Sequence, residues 1–111
     1  MQTKLLINGE LVAGQGVAQT VVDPATGNTI TSIPEASQEQ VIAAVAAADE
    51  AFQTYSKTTP AERAEILLNI AECLEQNQDE LAELESLDVG KPWPSARDDE
   101  MPLTIDVFRF F

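Results

Sequence analysis

Apolar and polar positions change their period once along this chain. The first third reads as short strands and turns, and the rest as helices. Residues 4–12, Lys-Leu-Leu-Ile-Asn-Gly-Glu-Leu-Val, read as a β-hairpin turning at Asn8-Gly9. That pair tolerates the positive φ values of a type I′ turn, whose twist matches the strands on either side. A small-residue stretch from Ala13 to Ala18, with Gly14-Gln15-Gly16 as a permissive turn, leads into Thr20-Val21-Val22. Asp23-Pro24-Ala25-Thr26-Gly27-Asn28 is a turn cluster, and Thr29 to Ile33 resume strand-like composition before Pro34.

From Ser37 onward the apolar residues recur at helical spacing. Ser37 with Gln40 is a capping box, in which the two side chains satisfy amide groups that the helix leaves free. Val41, Ala44, Val45, Ala48 and Phe52 then share one face, rich enough in alanine to suit close approach to a neighbour. Thr59-Pro60-Ala61-Glu62 is a second box, with proline at the first helical position, where its missing N–H costs little. Leu67, Ile70, Ala71 and Leu74 form the apolar stripe of that second helix. The pattern loosens at Asn77-Gln78-Asp79 and restarts with Leu81, Leu84 and Leu87 as a short third helix, ended by Gly90, Pro92 and Pro94. A last helix runs from about Asp98 to the end, with Pro102 either in its first turn or as a kink. The expected fold class is α/β: a hairpin and short strands over residues 1–34, then three or four helices over residues 37–111.

The final segment, Val107-Phe108-Arg109-Phe110-Phe111, is apolar and aromatic with no glycine, asparagine or polar tail to close the helix. Free termini normally fray into solvent, so two aromatic residues at the last two positions suggest a chain that continues.

Length and charge narrow the function classes. At 111 residues the chain holds at most one small domain, and its 44% apolar content allows a core. No apolar run approaches the ~20 residues of a membrane span. Lys4 is followed by only Leu5, Leu6 and Ile7, too short for a secretory signal, which points to a cytoplasmic protein. One cysteine and no histidine exclude an intramolecular disulfide and argue against a zinc site. Nineteen acidic against six basic residues leave a formal charge of −13, which repels both nucleic acid and an anionic membrane surface. Most of that charge reads as solvated surface, although it also suits a cationic ligand.

Candidate chemistry is sparse. Cys73 is the only soft nucleophile; beside Ile70 and Leu74, with no histidine to act as base, it reads as a small buried hydrophobe and not as a catalytic thiol. Asp98, Asp99 and Glu100 cluster near a helix start, either because the helix dipole favours them there or as a lure for a cation. The five glycines, at positions 9, 14, 16, 27 and 90, never form a G-x-G-x-x-G phosphate loop. The residues alone describe a soluble, acidic, incomplete α/β segment.

Several motifs, taken in order, resemble the opening of aldehyde dehydrogenases. They are Leu5-Leu6-Ile7-Asn8-Gly9-Glu10, Val22-Asp23-Pro24-Ala25-Thr26-Gly27, Ala47-Ala48-Asp49-Glu50-Ala51-Phe52, Arg63, the run from Glu83 through Gly90-Lys91-Pro92, and Phe108-Arg109-Phe110-Phe111. Each is weak alone; their order and spacing span essentially the whole chain. Within the family the wording is closest to γ-aminobutyraldehyde dehydrogenases and close to betaine aldehyde dehydrogenases. The resemblance implies a complete enzyme with a Rossmann-type cofactor domain, a catalytic domain and an oligomerisation arm, of which this chain is the N-terminal segment. In that enzyme a downstream cysteine attacks the aldehyde, an oxyanion hole stabilises the adduct, hydride passes to NAD(P), and a glutamate activates water. None of those residues lies here, so no catalytic and no cofactor-binding residue is expected in this chain, and alone it should neither bind NAD(P) nor turn over.

The implied substrate is an aldehyde resembling 4-aminobutanal, oxidised to its acid by a homo-oligomer. By resemblance, a monovalent cation, Na+ or K+, is held by the backbone carbonyl of Val21 or Val22 and by Asp88, whose oxygens suit such an ion. The alternative for Asp88 is a local cap near Gly90. Glu100, Leu103 and Val107 would line the substrate tunnel, with Glu100 at an acidic position of amine-substrate members and Leu103 where some plant members carry a second acid. Two rival expectations are a non-enzymatic interaction module, pairing through its hairpin and last helix, and a truncation product without function. On either view uncovered apolar faces predict that the isolated chain aggregates, oligomerises or is only partly ordered.

Overall fold

In a computed structural model, which describes all 111 residues, Asn8 and Gly9 adopt φ values of 51° and 79°. These are the conformations of the expected tight turn, and they join strands β1 (Leu5–Ile7) and β2 (Glu10–Val12) in antiparallel register, Leu5 opposite Val12. A second antiparallel pair, β3 (Ala18–Val22) and β4 (Thr29–Pro34), carries a bulge between Val21 and Val22. These strands and helix α1 (Gln38–Tyr55) belong to one compact unit, Met1–Val22 with Thr29–Thr58. The Asp23–Asn28 turn and everything from Thr59 form the other.

Gly14 and Gly16 do more than permit a turn. A Cβ at Gly14 would lie 2.1 Å from the Pro34 carbonyl oxygen, and one at Gly16 would lie 2.9 Å from that of Glu35. The Gly16 N–H donates to the Glu35 carbonyl at 2.8 Å, and the Glu35 N–H donates to that of Val17 at 3.0 Å, extending the β3–β4 pairing. Backbone therefore passes against backbone here, with no room for a side chain.

The Ser37–Gln40 capping box forms as the sequence predicts: Ser37 Oγ accepts from the Gln40 N–H, and Gln40 Oε1 accepts from the Ser37 N–H. The same amide also donates to the Ala13 carbonyl at 2.8 Å and accepts from the Gln15 N–H at 2.9 Å. One side chain thus caps α1 and holds the glycine segment. The face by which α1 packs differs from expectation. Gln40, Ala44 and Ala47 are half-buried, whereas Val41, Val45, Ala48 and Phe52 stay exposed, Val45 at 65%. Helical period identifies an apolar face, but small residues allow the closest approach, and the helix settles on those.

In the second unit the Thr59–Glu62 box opens α2 (Pro60–Gln76), and α3 (Gln78–Val89) ends at Gly90, whose φ of 72° makes a left-handed cap. A π-helical turn, Ser95–Glu100, then runs directly into α4 (Met101–Phe110). Pro102 sits in the first turn of α4, and the strain it brings is relieved by the wide turn before it. Proline has no N–H and its ring clashes with the carbonyl four residues back, so one turn opens to π geometry, in which the Met101 N–H reaches the Ala96 carbonyl. The core is small: Ala71 of α2, Ala82 of α3, Ala96 of the π turn and Ile105 of α4 are the buried apolar residues. Three alanines bring the helical elements close, and Ile105 fills the space between them. Cys73, expected to be buried, is exposed; the amide nitrogen of Asn77 lies 3.8 Å from its sulfur. It lies just off the stripe of Leu67, Ala71 and Leu74, on the solvent side of α2.

Candidate functional site

The densest polar construction joins the end of α3 to the start of α4. Gly90 stops α3 with its N–H on the Ser86 carbonyl at 3.0 Å, and Ser86 Oγ donates to the Lys91 carbonyl at 2.6 Å. The chain turns sharply there, and Lys91 comes to lie between two carboxylates. Its ammonium donates to Glu85 Oε1 at 3.2 Å and to Glu100 Oε2 in a shorter hydrogen bond. The Glu100 bond, helped by Glu85, holds the Lys91 ammonium above the ordinary lysine range, against the opposing effect of its partial burial. Ser86 and Lys91 border a hollow of 280 Å³ together with Asp23, Glu83 and Trp93.

The π turn is tied down separately. Arg97 donates to Asp79 at 2.6 Å and to Asp98 at 2.7 Å, its guanidinium lies 5.6 Å from the Trp93 ring centre, and its carbonyl accepts from Gln78 Nε2 at 2.7 Å. Of the three clustered acids, Asp98 and Glu100 therefore have internal cations as partners. Asp98 falls in the first turn of the π-helical segment, where the helix dipole favours a carboxylate, whereas Glu100 lies at its end, where the dipole does not account for its placement.

The Asp23–Asn28 turn closes on its own first residue. Asp23 Oδ1 accepts from the Ala25 N–H at 2.8 Å and Oδ2 from the Thr26 hydroxyl at 2.7 Å, while the Gly27 N–H donates to the Asp23 carbonyl at 2.8 Å. The Thr26 hydroxyl first, and the Ala25 amide second, hold the Asp23 carboxyl below its ordinary value of 3.8. A depressed folded pKa means the turn's stabilisation is present above that ordinary value and is lost as pH falls through the lower folded one. Amide exchange at Ala25 is accordingly expected to stay slow from neutrality down to the ordinary aspartate range and to quicken only below it. Asp23→Ala should show the fast exchange already at neutral pH. Exchange at Ala25 that ignores both changes would separate the carboxylate from the turn.

Of the residues expected to line a tunnel, Glu100 is half-buried at the end of the π turn, and Leu103 and Val107 stand exposed on α4, at 66% and 54%. Four residues apart, the latter two share one side of the helix. Of the residues expected to hold a cation, Val21 is half-buried in β3 and Val22 exposed at its end. Asp88 is exposed on α3 and makes no hydrogen bond or ion pair. The capping alternative for Asp88 is not realised, because Ser86 and Gly90 perform that task. The two valines belong to the first unit and Asp88 to the second, so neither unit by itself assembles the implied set. No group of three or more His, Cys, Asp or Glu is placed to hold a metal ion.

Lys91 is the residue that sequence reasoning overlooked. Its signal was a lone cation directly after a helix-ending glycine, in a chain with only six basic residues.

The model of the aldehyde dehydrogenase family matches residues 11–111. A mitochondrial aldehyde dehydrogenase of Leishmania tarentolae is 40% identical over 111 residues, covering 99% of this chain and 22% of the relative. The 2-aminomuconic semialdehyde dehydrogenase of Mus musculus is 43% identical over 89 residues, covering 80% of this chain and 18% of the relative. The crystal structure of PnpE in complex with nicotinamide adenine dinucleotide superposes with a TM-score of 0.93 at 40% identity, over 99% of this chain and 23% of that one, and so does the crystal structure of PnpE from Pseudomonas sp. WBC-3. The chain thus spans about a fifth to a quarter of the length of the proteins it matches. No helix is long and apolar enough to cross a membrane.

Proposed function

The chain belongs to the aldehyde dehydrogenase family as an N-terminal segment, and from that membership we propose that it serves an enzyme oxidising an amino-aldehyde, of the 4-aminobutanal type, to the carboxylic acid with NAD. The observation that carries the reading is its likeness, over 99% of its residues, to a solved structure in complex with that dinucleotide. When bound, NAD accepts the hydride. The glycines of this chain are otherwise engaged, Gly9, Gly27 and Gly90 in turns with positive φ and Gly14 and Gly16 against the backbone of Pro34, Glu35 and Ala36. None forms a phosphate loop, so no residue here is assigned to the cofactor or to attack on the aldehyde. A monovalent cation at Val21 or Val22 and Asp88, and a homo-oligomeric enzyme, enter the reading from the family resemblance alone.

The amino-aldehyde part is supported by Glu100, a partly exposed carboxylate three residues before Leu103 on the last helical segment. A substrate with an apolar chain and a terminal ammonium would find both complements there. In the complete enzyme, Glu100→Gln is expected to raise KM for 4-aminobutanal about threefold to fivefold, the worth of one partly solvated ion pair. Pentanal, which carries a methyl group in place of the ammonium, should keep its KM. Equal losses for both aldehydes would remove the ammonium pairing and leave only general aldehyde oxidation.

A further inference from the structure

Glu100 is not a free carboxylate. One of its oxygens, Oε2, is occupied by the Lys91 ammonium, which Glu85 Oε1 also engages. Building on the amino-aldehyde reading, we propose that Lys91 is a specificity-determining residue: it competes with a cationic substrate for Glu100 and so sets how strongly this end of the last helix attracts an ammonium group.

The charge count gives the argument its sign. Two carboxylates share one ammonium, so the cluster keeps one negative charge in excess. The Glu100 side chain remains 45% exposed, and its other oxygen makes no hydrogen bond. An ammonium arriving at that oxygen is attracted by Glu100 and Glu85 and repelled by Lys91, all within a few ångströms, where unscreened charges still interact appreciably. The other nearby cation, Arg97, is committed to Asp79 and Asp98 and does not compete for Glu100. Removing Lys91 leaves two negative charges, whereas removing the charge of Glu85 leaves none. The two substitutions therefore push the attraction in opposite directions while Glu100 itself is untouched. A lysine that merely braced the joint between α3 and α4 would affect charged and neutral substrates alike.

The test compares KM and kcat for 4-aminobutanal and pentanal at neutral pH in the complete enzyme. Lys91→Met is expected to lower the ratio of the two KM values, amino over neutral, about threefold, and Glu85→Gln to raise it by a similar factor. Lys91→Arg, which keeps the charge, should leave the ratio near that of the parent. Should Lys91→Met fold poorly, Glu85→Gln and Lys91→Arg still carry different expectations, a raised ratio and an unchanged one. The inference is overturned if both charge-changing variants move the two aldehydes together, or move the ratio in the same direction. A parent enzyme that oxidises neither aldehyde would instead sink the proposed function, so the two failures are told apart.

Discussion

Gly14→Ala is expected to prevent the first unit from folding. The added methyl group would sit 2.1 Å from the Pro34 carbonyl oxygen, 2.5 Å from that of Glu35 and 2.7 Å from the Pro34 carbonyl carbon. All three are backbone atoms, so no rotamer change relieves the clash, and the segment has little freedom to retreat. Gln40 holds it through Ala13 and Gln15, and Gly16 is bonded to Glu35. Ordinary overpacking costs about 1–3 kcal/mol where side chains can yield. Here the cost should reach roughly 3 kcal/mol or more, a large share of the 5–15 kcal/mol that typically stabilises a domain. Gly9→Ala provides the contrast: it meets nothing within 4 Å and carries only the penalty of a positive φ, about 1–2 kcal/mol. Soluble yield, thermal midpoint and amide protection at Gly16 and Glu35 report the difference in the complete enzyme. A Gly14→Ala protein that melts where the parent does would show that β4 does not lie where the structure puts it.

What was legible in the sequence was local. Asn8-Gly9, the two capping boxes and the Gly90 stop each depend on residues within a few positions, and each forms as expected. What was hidden depends on distant partners or on a choice between near-equal solutions. Gly14 and Gly16 looked like a loose turn because the strand they approach lies some twenty residues further on. Pro102 left two outcomes open, and the π turn that resolves it comes from where its ring meets an upstream carbonyl. The apolar stripe of α1 was visible, but period alone does not say that Ala44 and Ala47 would turn inward while Val45 and Phe52 turn out. At the candidate site Glu100 came from family likeness. Its partner Lys91 lies nine positions away across a broken helix, where no helical spacing links the two.

That outward stripe leads to the second large effect: the isolated chain should associate with itself. Large apolar side chains stand exposed on each unit: Val41, Ile42, Val45 and Phe52 on α1, and Leu103, Val107 and Phe110 on α4. At about 25 cal/mol per Å², covering a few hundred Å² of such surface favours association by several kcal/mol. The charge of −13 opposes it, and salt screens that repulsion, so sedimentation should show oligomers growing with ionic strength. Val45→Glu with Phe52→Glu should return the chain towards monomer. Gln19→Glu with Gln53→Glu adds the same charge at exposed polar positions and should leave association largely in place. If the control pair disperses the oligomers equally well, net charge is the cause and the α1 face is not the contact. A parent chain that stays monomeric at every salt concentration would show that these apolar faces need no cover.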